Sequence, residues 1–203
     1  MKIICIGRNY KKHIEELNNN IPEEICFFLK PNTAIPLKNQ PFFIPDFSKN
    51  VQHEVELVVK INKNGKHISK EFSHKYYNEL TIGIDFTARD IQDQLKKEGK
   101  PWEKAKAFDG SAPIGSFVNK NQISDSNNIN FTLLVNNQLK QKGNTRDMIF
   151  KIDEIISYVS TFITLKSGDL IFTGTPSGVD KVHKNDVLTG YLEGEELLKI
   201  KIK

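Results

Sequence analysis

Residues 80–92 read LTIGIDFTARDIQ, and the arrangement of the rest of the chain depends on this stretch. Its first part, Leu80 to Phe86, is apolar apart from one threonine and one acid, which predicts the central strand of a sheet. Three functional side chains stand at its end and just beyond: Asp85, Arg89 and Gln92. The spacing from Asp90 to Glu98 then predicts a helix, with Gly99 as a typical stop. An acid, a guanidinium and an amide at the end of a strand predict a site for an anionic, metal-bound ligand.

Two more carboxylates lie at the start of a second predicted strand, in the segment His53 to Leu57. Side chains alternate along a strand, so Glu54 and Glu56 share one face and repel each other unless a cation lies between them. A solvent-facing alternation is the alternative, but the apolar run from Val55 to Ile61 predicts a buried strand and favours metal ligands. With Asp85 the set is all oxygen, which suits Mg2+, Mn2+ or Ca2+ better than zinc or copper.

Cationic and amide side chains downstream are placed to complete this site. Arg89 and Gln92 suit the oxygens of a substrate, and Lys106, at the end of KPWEKAK (100–106), suits a developing negative charge. Taken singly, Arg89 or Lys106 is more often a surface salt-bridge partner. The prediction therefore depends on these segments forming one site.

A histidine and a glutamate near the start of the chain form a second candidate group. A strand from Lys2 to Ile6 is followed by a predicted helix from Tyr10 to Leu17, with Asn9 available as its N-cap. On that helix His13 and Glu16 are three residues apart and face the same way. A carboxylate that holds an imidazole can position and deprotonate a water molecule. Spacing alone favours an ordinary surface interaction.

The loop TGTPSG at 173–178 follows a predicted strand, Leu170 to Phe172. Its hydroxyls and exposed amides can cradle a carboxylate or a phosphate. It matches neither the G-x-S-x-G elbow nor the G-x-x-x-x-G-K-[ST] pattern, so neither a serine hydrolase nor a P-loop enzyme is indicated.

Strand and turn signals dominate the remaining sequence. Predicted elements are a buried strand Cys26–Leu29, an irregular packed crossing over 31–50, a hairpin at Asn64-Gly65 leading to Lys66–Ile68, a hairpin at Asn136-Asn137 after Phe131–Val135, an amphipathic helix over 152–163, and a hairpin at Glu193-Gly194 joining Val187–Leu192 to Leu197–Ile202. Lys199, Lys201 and Lys203 alternate with isoleucines, which indicates a solvent-exposed strand face.

Composition excludes several classes of protein. A chain of 203 residues that is 38% hydrophobic suits a single domain over 1–203. Its 29 basic and 25 acidic residues give a net charge of +4 without a run of five basic residues, so we expect no nucleic-acid partner. No apolar stretch approaches the roughly 18 residues of a membrane span, and no leader sequence precedes the first strand. We expect a cytoplasmic protein without membrane contact, in which Cys5 and Cys26 are buried, reduced thiols.

Five segments occur together and in order in one known family: GRNY at 7–10 with His13 and Glu16, HEVEL at 53–57, GIDFTARDIQ at 83–92, KPWEKAK at 100–106, and GDLIFTGTPSGV at 168–179. They resemble the signature of the fumarylacetoacetate hydrolase family over essentially the whole chain. The likeness is closest to the short branch of acylpyruvate hydrolases, oxaloacetate decarboxylases and oxaloacetate tautomerases. Two departures, Ser111 and Asp180, affect neither the metal nor the histidine–glutamate pair and bear on substrate fit.

This resemblance implies a role for each candidate residue. The implied metal ligands for Mg2+ or Mn2+ are Glu54, Glu56 and Asp85; the implied substrate-binding residues are Arg89, Gln92 and Thr175; the implied catalytic residues are His13, Glu16 and Lys106. The His13–Glu16 helix is implied to order as a lid. The implied fold is a mainly β (α+β) structure, a mixed β-sandwich roll with few short helices, and the implied assembly is a homodimer.

The implied chemistry is cleavage at C3 of a small 2-oxo acid through a metal-stabilised pyruvate enolate. Our leading hypothesis is hydrolysis of a C–C bond in acylpyruvates, with Glu16 as general base oriented by His13. Oxaloacetate decarboxylation, which passes through the same pyruvate enolate, is one alternative. Oxaloacetate keto–enol tautomerisation, which needs only proton transfer at C3, and an activity like that of 2-hydroxyhepta-2,4-diene-1,7-dioate isomerase are the others. A non-catalytic protein that binds metal and dicarboxylate is the alternative from a different class.

Overall fold

The computed structural model describes residues 1–37 and 40–203 and consists mainly of strands. The helices are α1 (Lys11–Glu16), α2 (Lys70–Ser73), α3 (Arg89–Lys97), α4 (Glu103–Lys106) and α5 (Ile152–Phe162), with short 3-10 turns at Asn32–Ala34, Lys120–Gln122 and Thr145–Asp147. The strands are β1 (Ile3–Gly7), β2 (Cys26–Lys30), β3 (Val51–His53), β4 (Val55–Ile61), β5 (Tyr77–Ile84), β6 (Thr87–Ala88), β7 (Val118–Asn119), β8 (Asn130–Val135), β9 (Gln138–Asn144), β10 (Leu170–Phe172), β11 (Asp180–Lys181), β12 (Val187–Leu192) and β13 (Glu195–Lys201). The expected mainly β class with few helices is confirmed.

The largest sheet has six strands in the order β2-β1-β10-β4-β5-β7. The strand predicted as central, β5, is next to last in this order, because only the two-residue strand β7 lies beyond it. It pairs antiparallel with β4, so that Val55 lies opposite Ile84 and Glu56 opposite Gly83. Gly83 is required there, because a Cβ atom would lie 2.5 Å from the Phe172 ring. This register brings the start of β4 and the end of β5 to the same edge of the sheet. The carboxylates of the two segments therefore meet there.

Two smaller sheets accompany the large one, and strands β12 and β13 of one of them contact β5. One has the order β11-β3-β6 and the other β13-β12-β8-β9. Gly190 on β12 approaches β5 so closely that a Cβ atom would lie 2.8 Å from the Ile82 side chain. On α5, the side chains of Ile155, Ile156 and Val159 are buried in the same core. A sheet-on-sheet core of this kind holds the edge of β4 and β5 rigidly.

Several predicted elements occur as expected. The Asn136-Asn137 turn joins β8 to β9 with φ of 51° and 64° at its two asparagines, as a tight hairpin requires. The Glu193-Gly194 turn joins β12 to β13, and Lys199, Lys201 and Lys203 are exposed as predicted. The amphipathic helix predicted over 152–163 is α5.

The hairpin predicted at Asn64-Gly65 is wrong. Gly65 instead exchanges two backbone hydrogen bonds of 2.9 Å with Leu165, and β4 pairs with β5 rather than with Lys66–Ile68. A Cβ atom at Gly65 would lie 2.4 Å from the Tyr76 ring. The glycine is there for close packing against distant residues, a requirement that a local turn signal does not reveal.

The predicted capping role of Asn9 is also wrong. The residue before α1 is Tyr10, whose side chain makes no capping hydrogen bond. Asn9 is buried, and its amide donates to Phe150 O at 3.0 Å and to Thr173 O at 2.8 Å while accepting from Phe150 N at 2.8 Å. It therefore ties the end of β1 to the loop that follows β10.

The burial of the segment after α1 differs from the prediction. Strand β2 is an edge strand on which Leu29 is exposed and Cys26 half-buried, because only one of its neighbours is a strand. Both thiols are free, and Cys5 is buried as predicted. In the crossing over 31–50, Phe42 is buried whereas Phe43 and Phe47 are exposed. The part of that prediction on Lys38 and Asn39 lies outside the described residues.

Among the helices of residues 1–37 and 40–203, none is both long enough and apolar enough to cross a membrane.

We expect Asn9→Ala to lower the free energy of unfolding by about 2 to 4 kcal/mol, because Phe150 N and Thr173 O lose their buried partner. Urea unfolding followed by circular dichroism measures the change. The exposed Asn20→Ala is the matched control and should stay within about 0.5 kcal/mol of the unmodified protein. A loss at Asn9 no larger than that of the control would show that this bridge is not important for stability.

Candidate active site

Three buried carboxylates lie at the edge of β4 and β5. Glu54, Glu56 and Asp85 each offer an oxygen within 4.8 Å of the others. The backbone holds them together, because Asp85 N donates to Glu54 O at 2.8 Å. All three residues are at most 5% exposed, so their charges interact with little screening by water.

Two lysines neutralise part of this charge. Lys106 Nζ donates to Glu54 Oε2 and to Asp85 Oδ2, both at 2.8 Å, and to Thr87 Oγ1 at 2.6 Å. Lys30 Nζ lies 2.7 Å from Asp85 Oδ1 and donates to Ser111 O and Oγ at 3.0 Å. Burial opposes it, but the charges of Asp85 and Glu54 raise the pKa of Lys106, so its ammonium stays charged.

Two of the carboxylates differ in their electrostatic surroundings. Burial acts to raise the pKa of Glu54, but the charges of Lys106 and Arg89 outweigh it and hold that pKa well below its usual value. Burial, followed by the charges of Asp85 and Glu54, raises the pKa of Glu56 well above its usual value. Gly174 N donates to Glu56 Oε2 at 2.6 Å, but Glu56 belongs to none of the ion pairs found in the described ranges.

Helix α3 supplies a guanidinium and an amide next to the carboxylates. Arg89 Nη2 is hydrogen-bonded to Glu54 Oε1, its Nη1 donates to Gln92 Oε1 at 2.5 Å, and its Nε donates to Gln52 Oε1 at 2.8 Å. Arg89 and Gln92 are both buried in the first turns of the helix. The predicted spacing therefore brings Arg89 and Gln92 into a direct hydrogen bond with each other.

Helix α1 brings the histidine–glutamate pair to the same site. His13 Nδ1 lies 3.0 Å from Glu16 Oε2, and Glu16 Oε1 accepts from Gly178 N at 2.9 Å. His13 is buried, while the Glu16 side chain is 31% exposed. The pair thus bridges α1 and the loop at 173–178, and leaves Nε2 of the imidazole for another partner.

A buried glutamine connects that loop to β4. Gln141 Oε1 accepts from Val55 N at 3.0 Å and from His53 Nδ1 at 2.9 Å, and its Nε2 donates at 2.9 Å to Thr175 Oγ1 and to Pro176 O. Thr175 Oγ1 in turn donates to Val55 O at 2.8 Å. Burial lowers the pKa of His53, which favours the neutral ring. Every hydrogen-bonding group of the Gln141 amide is therefore satisfied, and the position of Thr175 is fixed.

One cavity collects most of the predicted residues. Its wall includes His13, Glu54, Glu56, Asp85, Arg89, Gln92, Lys106 and Thr175. Glu16 joins them through His13 and Gly178. The cavity has a volume of about 40 Å3, which is room for an ion or a few waters.

Sequence reasoning missed several residues of this site. Neither Lys30 nor Gln141 is among the residues predicted for the site. Neither belongs to a local motif: Lys30 is 55 positions from Asp85 and Gln141 is 86 positions from Val55. Only the order of the sheets brings them together. Arg8, Lys96, Phe28 and Trp102 also line the cavity.

Comparison with known proteins gives a consistent result. Residues 2–201 match the family model described as fumarylacetoacetate (FAA) hydrolase C-terminal. The mitochondrial oxaloacetate tautomerase FAHD1 of Bos taurus is 42% identical over 201 residues, which is 99% of this chain and 91% of that protein. The mitochondrial oxaloacetate decarboxylase of Dictyostelium discoideum is 44% identical over 188 residues, which is 92% of this chain and 86% of that protein.

A solved structure shows the same architecture. The crystal structure of fumarylpyruvate hydrolase from Pseudomonas aeruginosa in complex with Mn2+ and pyruvate has a TM-score of 0.93 and 33% identity, and covers 100% of this chain and 89% of that one. The resemblance inferred from the motifs is thereby confirmed. The chain is an enzyme of the fumarylacetoacetate hydrolase family.

Proposed function

We propose that this enzyme interconverts the enol and keto forms of oxaloacetate in a metal-dependent reaction. The observation that carries the proposal is the buried set of Glu54, Glu56 and Asp85 with Lys106 and Arg89 against it. The names of the relatives support oxaloacetate as substrate and favour the tautomerase or decarboxylase alternative over acylpyruvate hydrolysis, our leading hypothesis from the sequence.

The carboxylate set fits a divalent cation. Asp85 Oδ1 is buried with Lys30 Nζ 2.7 Å away, whereas Glu56 has no ion-pair partner among the described residues. Buried oxygens of this kind are what Mg2+ and Mn2+ bind, with Ca2+ as the larger alternative. We assign Glu54, Glu56 and Asp85 as the ligands. When bound, the cation polarises the 2-oxo group and stabilises negative charge on its oxygen.

The cationic side chains are proposed to hold the substrate. Arg89 and Gln92 orient its oxygens. Thr175, which Gln141 holds in place, belongs to the loop at 173–178, and this loop is proposed to donate hydrogen bonds to the carboxylate of the substrate. The ammonium of Lys106 sits among two carboxylates and stabilises negative charge that develops on the substrate. Because Lys106 and Arg89 are fixed by ion pairs, they need little reorganisation during the reaction.

The histidine–glutamate pair is proposed to move the proton. In the conversion of enol to keto form, the enol oxygen loses a proton and C3 gains one, while the C2–C3 double bond becomes single and the C2–O bond becomes double; no bond between heavy atoms is broken. His13 exchanges a proton at Nε2, while Glu16 holds Nδ1 and balances the charge of the protonated ring. The hydrogen bond from Gly178 keeps Glu16 in place.

Hydrolysis of acylpyruvates is the second candidate function. The likeness to fumarylpyruvate hydrolase favours it, as does the partly exposed Glu16, which water can reach. In that reaction Glu16 is the general base and His13 orients it. Decarboxylation of oxaloacetate needs the same enolate and no attacking water.

The assembly and setting of the enzyme remain predictions. We propose a single catalytic domain over 1–203, a homodimer, a cytoplasmic location, and a small 2-oxo acid as the only class of partner besides the metal and the second subunit.

Removal of the metal is expected to lower the rate of enol oxaloacetate decay by roughly 100-fold or more, because the cation supplies several kcal/mol of charge stabilisation. The decay of the enol is followed by ultraviolet absorption, on chelator-treated protein with and without added Mg2+ or Mn2+. Pyruvate release from acetylpyruvate is measured on the same preparations. Mn2+ should also raise the melting temperature, and Glu56→Gln should remove that shift.

The surface variant Glu79→Gln is the control for Glu56→Gln, since Glu79 pairs with Lys60 at a half-exposed site. Turnover of acetylpyruvate without effect on oxaloacetate would assign the enzyme to hydrolysis. Metal binding without turnover of either compound would leave a binding protein.

Glu16→Gln is expected to reduce acetylpyruvate cleavage about 100-fold or more, because the attacking water loses its base. Oxaloacetate decarboxylation should keep a larger fraction of its rate, since no water attacks. Steady-state rates of both reactions on one preparation measure the difference. Glu15→Gln, on the exposed face of the same helix, is the control and should leave both rates unchanged. Equal losses in the two reactions would contradict the water-activating role of Glu16.

A further inference from the structure

Two cations line the cavity without a carboxylate partner. Arg89 and Lys106 are each held by the carboxylates of the site. Arg8 and Lys96 line the same cavity, but among residues 1–37 and 40–203 neither takes part in an ion pair. The positive charge of these two residues is therefore available to an anion that enters the cavity.

Arg8 has two unusual features. Its φ of 57° lies in the left-handed region, which non-glycine residues rarely adopt. Its Nε is buried and makes no hydrogen bond with the described residues. A buried donor of a charged group without a partner is costly, and this cost is recovered when a ligand oxygen accepts from it.

Lys96 lines the same cavity from the last turn of α3. Its Nζ lies 5.6 Å from the centre of the Trp102 ring. Burial, followed by the charges of Arg89 and Arg8, lowers the pKa of Lys96. The ammonium of Lys96 is thus opposed by the positive charges of Arg89 and Arg8, and an anion bound in the cavity would offset that repulsion.

Phe28 and Trp102 form an aromatic wall of the cavity that runs from Lys106, at the carboxylate end, to Lys96. Lys106 Nζ lies 5.3 Å from the centre of the Phe28 ring, and the Phe28 and Trp102 ring centres are 5.9 Å apart. Trp102 then reaches Lys96, and a Cβ atom on Gly7, the residue before Arg8, would lie 3.7 Å from Trp102 Cζ3. The wall thus begins at Lys106, beside the carboxylates, and ends at Lys96, with the backbone next to Arg8 packed against Trp102.

We propose that Arg8 and Lys96 form a second anion subsite that binds the distal carboxylate of a dicarboxylic 2-oxo acid. The proposal rests on the proposed function, since it takes the 2-oxo acid head of the ligand to bind at the carboxylate end. The guanidinium of Arg8 offers the fork geometry that carboxylates prefer, and Lys96 adds charge. A monocarboxylic acylpyruvate would leave both cations unpaired, so the subsite selects dicarboxylic substrates.

Ligand pairs that differ only in the distal carboxylate test this subsite. Isothermal titration calorimetry on Mn2+-loaded protein measures the affinity for each ligand. One pair is 2-oxoglutarate and 2-oxovalerate, and the other is 2-oxoadipate and 2-oxohexanoate. The protein should bind at least one dicarboxylate about 10 to 100 times more tightly than its partner, as expected for one charge-assisted interaction. Arg8→Gln and Lys96→Gln should each reduce this ratio, and together abolish it, while the affinity for the monocarboxylates stays unchanged.

Lys97→Gln is the matched control, because Lys97 is the exposed neighbour of Lys96 on α3. The unchanged monocarboxylate affinity also shows that a variant is folded. Equal affinity within both ligand pairs, or a preference that survives in the double variant, would overturn the subsite. Binding does not require turnover, so inactivity on oxaloacetate would refute the proposed function while the affinity ratios still decide this proposal.

Discussion

The burial of three carboxylates at one edge of the central sheet is the constraint on which the rest of the site depends. The register of β4 and β5 forces Glu54, Glu56 and Asp85 within 4.8 Å of one another, away from water. Such a set is stable only with opposite charge around it, and breaking one buried ion pair costs roughly 3 to 5 kcal/mol. The positions of Lys30, Lys106 and Arg89 follow from this requirement, and the remaining negative charge is what a divalent cation would neutralise.

Hydrogen bonds also hold helix α1 and the loop at 173–178 against this edge of the sheet. Gly174 donates to Glu56, Gly178 donates to Glu16, and Gln141 holds Thr175 against Val55. Asn9 adds a bond to Thr173 from the other side. Groups proposed to bind substrate and to move protons are thus fixed relative to the carboxylates by hydrogen bonds that are mostly buried. This is the preorganisation that charge stabilisation in an active site needs.

Much of the site was predictable, because its residues lie in local patterns. A few neighbouring residues were enough to predict three features of the geometry. These are the shared face of Glu54 and Glu56, the acid at the end of β5, and the spacing of Arg89 and Gln92. Lys30 and Gln141 were not predicted as site residues, because their partners are distant in sequence. Which partners they meet depends on which strands become neighbours. The errors at Asn9 and Gly65 have the same origin: a residue with a strong local preference was used instead for a buried tertiary contact.

The central claim is that this edge of the sheet promotes loss and gain of a proton at C3 of a 2-oxo acid. Exchange of the C3 protons of pyruvate for deuterium in heavy water, followed by nuclear magnetic resonance, tests it without presuming which reaction is the physiological one. The account predicts exchange above the buffer rate that requires added Mg2+ or Mn2+ and is lost in Glu56→Gln. Absence of exchange in protein that demonstrably binds metal and pyruvate, or exchange that persists without metal, would contradict it.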